Sequence, residues 1–331
     1  MSSGADSTKV VVAALAGNLL IAASKFVAAF VTGSAATLAE AVHSCADTGN
    51  QVLLLFGMRL ARRAPTEMHP FGRAIERYFW AFVVSIMLFT VGGVFAAFEG
   101  YNELAEVARG DTATHGSSLW SYIVLGTSVV FETYSFTVAM AEFRKIKGSR
   151  SMLRTMIDTR DPTIPVVVLE DAAALIGLTL ALVGIGLSDL TGWRGWDGIA
   201  SLCIGALLCA VAVFLANETH SLIIGESATP ADRVKVRELV ESVTGVRSVT
   251  QMLTMHQGPD DVILALKVDF DRDLDVSAIE MRINDIEKNV RGALPHMRHI
   301  FIEPDSSYRA SLDEEHPRGS AAPPEVTERE T

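Results

Sequence analysis

The chain has 331 residues, 49% of them hydrophobic, with a mean hydropathy of +0.30 and a formal net charge of −11. Long uninterrupted apolar runs within that composition exclude an ordinary soluble globule and mark a polytopic α-helical membrane protein. The acidic residues are spread over many segments and no basic arm is present, so nucleic acid is excluded as a partner and the charge reads as solvation.

A short polar lead with no evident cleavage site runs into the first apolar segment, so no removed signal peptide is expected. Six segments are long enough to span a bilayer, at residues 10–32, 37–60, 78–99, 118–142, 163–187 and 197–216. Arg59, Arg62, Arg63, Arg73 and Arg77 crowd the second connection, and Arg144, Lys145, Lys147, Arg150, Arg154 and Arg160 crowd the fourth. The alternate connections carry only Arg109 and Arg194. The positive-inside rule then places the basic loops and both termini in the cytoplasm. Cys45, Cys203 and Cys209 all fall in apolar segments, where small buried side chains are expected rather than disulfides.

In the first span Asn18 and Lys25 interrupt the apolar run, Asn18 reading as an interhelical hydrogen-bonding residue. The second span carries Glu40, His43, Asp47, Asn50 and Gln51 on one face at helical spacing. Such a stripe cannot face lipid, because a carboxylate near the bilayer centre costs about 3 kcal/mol on insertion scales. His43 and Asp47, one turn apart, suit zinc or a neighbouring divalent metal and need two or more further ligands.

His69-Pro-Phe-Gly72 forms a turn leading to the third span, which is expected to end at Glu99, with a solvated loop over residues 100–117 carrying Glu103, Glu106 and Asp111. The fourth span buries Glu132 near mid-membrane; pairing with Lys25 and a role in proton movement are both open. The fifth span places Glu170 and Asp171 side by side deep in an apolar run, flanking one direction on the helix wheel. Both can reach a shared ion, the alternative being a buried acid pair satisfied by loop arginines. Ala172, Ala173 and Ala174 permit close helix approach. Near the end of the sixth span, Asn217, Glu218 and His220 read as interfacial caps.

Beyond residue 225 the composition turns charged. Helical spacing over 230–242 and 276–290, alternation over 246–256 and 262–270 and a last strand at 299–303 give an α-β-β-α-β order, a small ferredoxin-like α+β domain. The expected divisions are a transport domain at 8–225, a cytoplasmic domain at 226–305 and a disordered acidic tail at 306–331.

Six spans, the His43-xxx-Asp47 helix, the carboxylate-bearing fifth helix with Asp161-Pro-Thr and Leu169-Glu-Asp-Ala-Ala173, His69-Pro-Phe-Gly72 and the trailing α+β domain together resemble the cation diffusion facilitator family of divalent-metal/proton antiporters, most closely its zinc transporter 9 branch. The resemblance implies a metal held between the second and fifth helices by two xxx-spaced pairs. His43, Asp47 and Asp171 match three of those positions; Val167 occupies the fourth, and Glu170 is the candidate replacement. It further implies a metallochaperone-like cytoplasmic domain that dimerises and can bind metal there. Glu303, Asp305 and His256 are the candidates for that second site, although Lys267 stands where a second-strand His is customary.

The resulting expectation is a homodimeric, proton-coupled exporter of zinc, with manganese, iron(II) or cobalt as alternatives, in the plasma membrane. No prosthetic group is expected, and Glu40, Asn50 and Glu132 are candidates for a proton path or accessory role. A metal-gated channel or sensor is the rival class. A membrane-embedded zinc hydrolase is disfavoured because no His-Glu-x-x-His pattern is present.

Overall fold

Hydrophobic length dictates the first part of the architecture. A computed structural model describes residues 3–32, 35–110, 118–148 and 151–305. It divides into two units, Met1–Thr229 with Met255–Ile263, and Pro230–Thr254 with Leu264–Thr331. The expected acidic tail lies outside the described residues, as do residues 111–117 of the third connection.

The first unit is helical: α1 (Ser3–Thr32), α2 (Ala35–Ala61), α3 (Glu76–Met87), a π-helical segment (Leu88–Val94), α4 (Phe95–Ala108), α5 (Ser118–Lys147), α6 (Met152–Asp158), α7 (Thr163–Thr191) and α8 (Gly195–Ile224). Five helical stretches among the described residues are long and apolar enough to cross a membrane: Ser7–Ala28, Glu76–Ala108, Ser121–Lys147, Thr163–Thr191 and Gly195–Ile224. α2 has the length for a sixth, but its polar stripe lowers its hydropathy. Exposed Leu19, Val27, Phe98, Val130 and Val183 give the bundle the apolar exterior that a bilayer requires. α1 packs on α2 and α5, α5 on α7, α7 on α8, and α8 on the helix formed by α3, the π segment and α4. Val11, Leu54, Val84, Phe143, Ile164 and Val167 lie in the shared core.

Two sequence expectations are corrected. The third span does not end at Glu99: the helix continues to Ala108, so Glu103 and Glu106 are helical. Acidic residues at helical spacing after an apolar run look like a loop in sequence, yet they prolong the helix. The π segment at Gly92-Gly93 also escapes hydropathy, which registers composition rather than hydrogen-bond register. The cysteines are not buried: Cys45 and Cys203 are exposed and Cys209 is half-buried.

Small residues set the approach of α4 to α8. A Cβ on Gly205 would stand 2.7 Å from the Ala97 amide nitrogen and 2.8 Å from the Gly93 carbonyl oxygen, and one on Gly100 would stand 2.6 Å from the Gly198 carbonyl oxygen. These contacts are with backbone, which cannot rotate away. At the end bearing the basic loops, Arg77 Nη2 donates to Asp161 Oδ2 at 2.9 Å, and Ser7 Oγ donates to the same oxygen at 2.8 Å. Arg77 Nε donates to Thr163 Oγ1 at 3.0 Å. Arg77 and Asp161 are 8% and 6% exposed, a burial at which loss of either partner leaves an uncompensated charge.

In the second unit α9 (Pro230–Glu241) and α10 (Val276–Ala293) accompany a three-stranded sheet of order β1-β2-β3; β1 is Val246–Gly258, β2 Asp261–Phe270 and β3 Met297–Pro304, the β1–β2 turn segment Met255–Ile263 being grouped with the first unit. The α-β-β-α-β order is as read from sequence. Val236, Val240, Leu264, Val268, Ile286 and Met297 are buried in its core. Asp275 caps α10, its side chain accepting from the Ala278 amide at 2.7 Å.

Gly205→Ala and Gly100→Ala should each destabilise the detergent-solubilised protein by about 1–3 kcal/mol through overpacking. Gly126→Ala, where an added Cβ meets nothing within 4 Å, should leave its melting temperature unchanged. Equal melting temperatures for all three variants would contradict the close α4–α8 approach.

Candidate metal centre

α2 crosses the bundle as an amphipathic helix whose polar face is written in its sequence, and α7 is buried over most of its first half. Asp47 on α2 and Glu170 and Asp171 on α7 line one cavity of about 890 Å³. From them the cavity reaches Glu99, Glu103 and Glu106 on α4 and Asp197 on α8, at the ends opposite the basic loops. Leu88 and Gly92 of the π segment are also part of its wall. The acidic extension of α4, read from sequence as an external loop, is therefore cavity lining, an arrangement that concentrates cations.

The three carboxylates are held differently. Glu170 is 7% exposed; Asn50 Nδ2 donates to its Oε1 at 3.0 Å and Gln51 Nε2 donates to its Oε2 at 2.9 Å. Both oxygens thus face fixed donors from α2, tying the two helices through the acid itself. Asp171, 1% exposed, accepts from Ser135 Oγ of α5 at 2.7 Å through Oδ2. Asp47 is half-buried and has no hydrogen-bond partner among the described residues. Val167 is fully buried in the apolar core. Glu170, one turn further along α7, lines the cavity.

Glu40 and His43 lie on α2, but their side chains fall outside the described residues. Among the described residues no group of three or more His, Cys, Asp and Glu side chains is placed to hold a metal. Asn50, a candidate for an accessory role, is a partner of Glu170. Sequence reasoning found the stripe containing Asn50 and Gln51 but not their target, because the α2–α7 register is set by packing between helices far apart in the chain. Loop arginines do not satisfy the α7 acids: Arg77 is taken up by Asp161 and Thr163. Nor does Lys25 pair with Glu132, which has no hydrogen-bond or ion-pair partner among the described residues.

In the second unit Lys267 Nζ donates to Glu303 Oε1 at 3.4 Å and to Asp305 Oδ2 at 3.3 Å. The hydrogen bond to Asp305, followed by that to Glu303, pushes Lys267 above the ordinary lysine range. This lysine supplies the positive charge that a metal would bring to the two acids. His256, on the hairpin segment grouped with the helical unit, is buried, with Nδ1 3.1 Å from the Gly258 carbonyl oxygen.

Helices of bilayer length around an acid-lined cavity define an integral membrane protein with a negatively charged interior. The chain matches the cation efflux transmembrane domain over residues 11–224 and the cation efflux protein cytoplasmic domain over residues 228–307, and it belongs to the cation efflux family. Membership places it among transporters rather than enzymes. It is 34% identical to the mitochondrial proton-coupled zinc antiporter SLC30A9 of Xenopus laevis, over 89% of this chain and 59% of that protein. Identity to the human protein of that name is 32%, over 80% of this chain and 46% of that protein. The manganese efflux system protein MneP of Bacillus subtilis is 23% identical over 90% of this chain and 97% of its own length. The chain thus spans about half the length of the SLC30A9 relatives it matches. Their mitochondrial designation overturns the expectation of a plasma-membrane location; a multi-pass membrane protein stands.

Gln51→Leu should remove one of the two donors that fix Glu170 and leave a buried carboxylate oxygen bare. The expected loss is about 1–3 kcal/mol of stability, read by thermal unfolding in detergent, together with weaker zinc binding by calorimetry. Wild-type stability and affinity would mean that the amide pair does not hold the acid.

Proposed function

We propose that this protein is a proton-coupled antiporter that moves a divalent cation, foremost zinc, away from the side bearing its basic loops. The observation that carries the reading is the convergence of Asp47 from α2 with Glu170 and Asp171 from α7 on one intramembrane cavity. His43 completes the proposed shell with an imidazole nitrogen, and Glu170 takes the place left by Val167. The names of the SLC30A9 relatives support both zinc and proton coupling. The proposed domain division follows the sequence reading, 8–225 for transport, 226–305 for the soluble domain and 306–331 for the tail. The soluble domain is assigned to homodimerisation, its one-sided α+β build leaving sheet surface and edges for a second copy.

One imidazole and three carboxylates make a harder, more oxygen-rich shell than two histidines would. The manganese efflux relative therefore adds weight to a second reading, a broader range that includes manganese, iron(II) and cobalt. Each ligand binds metal in its deprotonated form, so metal entry expels protons and affinity must fall as pH falls.

In proteoliposomes Asp47→Ala and Asp171→Ala should each abolish zinc flux while the proteins still insert. The affinity of the wild type should weaken steadily from about pH 8 to about pH 5.5, the range in which imidazole takes up its proton. Unchanged flux in either variant, or a flat pH profile, would overturn the site assignment.

A further inference from the structure

Ser121, Ser128, Glu132 and Ser135 follow one another along a single face of α5. Ser135 donates to Asp171. Glu132 comes one turn further from the basic loops, lines the same cavity as Asp47, Glu170 and Asp171, and is 9% exposed. Its Oε2 is buried without a partner, and so is the hydroxyl of Ser128, the next cavity-lining position along the face. No hydrogen bond links Glu132 to Asp47, Glu170 or Asp171. α1 and α7 are the long helices packed against α5. α1 brings Asn18 and Lys25 to the cavity wall and α7 brings Glu170 and Asp171; the charged groups that act on Glu132 are Asp171, Asp47, Glu170 and Lys25.

Glu132 is therefore unlike the other buried acids on or next to the long helices. Glu170 has two amide donors, Asp171 a hydroxyl and Asp161 a guanidinium, each fixed in the fold. A carboxylate buried at this depth without such a donor requires a mobile cation to balance it. It stands on α5, apart from the α2 and α7 positions that supply the metal shell; Ser128 on the same helix and Asn18 on α1, which also line the cavity, are neutral donors or acceptors.

We propose that Glu132 is a separate cation station that carries the counter-transported proton. This rests on the antiport reading above and assigns the driving proton to a residue outside the metal shell, distinct from the ligand protons that set the pH dependence of metal affinity. The step is a simple transfer: a hydronium in the cavity gives its proton to the Glu132 carboxylate, one O–H bond forming as another breaks, and water is left behind. A dication arriving at Asp47 and Asp171 repels that proton; its departure leaves negative charge that draws the next one in. Coupling then needs no shared ligand, only proximity in a poorly screened interior, and it works in both directions.

Glu132→Gln keeps the size and polarity of the side chain and removes its ability to ionise. In proteoliposomes this variant should still bind zinc by calorimetry, with the affinity of the Glu132-protonated state, and exchange zinc down its gradient at equal pH. Accumulation of zinc against its gradient, driven by a pH difference, should fall by about tenfold or more. Glu132→Asp should restore that accumulation, which a merely structural role would not predict. Loss of zinc binding in Glu132→Gln would overturn the proposal by placing the residue in the metal shell or the fold. Gradient-driven accumulation retained in Glu132→Gln would overturn it while leaving antiport intact. A wild-type protein whose zinc flux ignores the pH difference would instead bring down the antiport reading, and this assignment with it.

Discussion

Burying carboxylates inside a bilayer is the constraint on which this structure depends. Water is absent there, so each ionised oxygen must find a donor or a cation, and the cost of leaving one bare is several kcal/mol. The helices are arranged to meet that demand. Arg77 answers Asp161 where α3 and α7 begin, Asn50 and Gln51 answer Glu170, and Ser135 answers Asp171. Each of these bonds joins residues from different parts of the chain, so the acids act as the pins of the bundle. Asp47 and Glu132 are the members of the set for which the described fold provides no donor, and both line the cavity. Asp47 and Glu132 are thus left with charge that no fixed donor balances, while Glu170 and Asp171 keep further lone pairs for a cation beside the donors that orient them.

The cavity gives the arrangement a direction. Its walls run from Glu170 and Asp171 along α4, α5 and α7 towards Glu99, Glu103 and Asp197. On the opposite side of the acids the bundle is closed by the Arg77–Asp161 pair with Ser7 and Thr163. Close backbone approach of α4 to α8 at Gly100, Gly198 and Gly205 stiffens one wall. The π segment at Gly92 and Gly93 interrupts regular helix where the wall meets the cavity, a placement common at working sites in helical proteins.

Much of this was legible in the sequence because the bilayer imposes length and apolarity on a helix and penalises every exception. The apolar runs located the spans, and exceptions within them, Asp47, Glu132, Glu170 and Asp171, are among the acids that line the cavity. Alternation and turn residues were sufficient for the α-β-β-α-β order of the second unit. What escaped was everything set by contact between helices. The wheel put Asn50 and Gln51 on the face of Asp47 but could not show that they grip Glu170. Arg77 read as a loop arginine, although it is buried against Asp161. Lys25 looked like a partner for Glu132 by charge alone, and packing does not join them. The plasma-membrane placement failed for a different reason: loop charge orients a protein in its membrane but does not say which membrane.

Metal binding among the acids of α2 and α7 is tested most directly by an anomalous-difference map of the zinc-loaded protein at the zinc edge. It should show one strong peak in the cavity, with carboxylate oxygens of Asp47 and Asp171 about 2.0–2.2 Å away. A cavity without a peak, or a zinc ion bound elsewhere in the membrane unit with Asp47 and Asp171 unliganded, would contradict it.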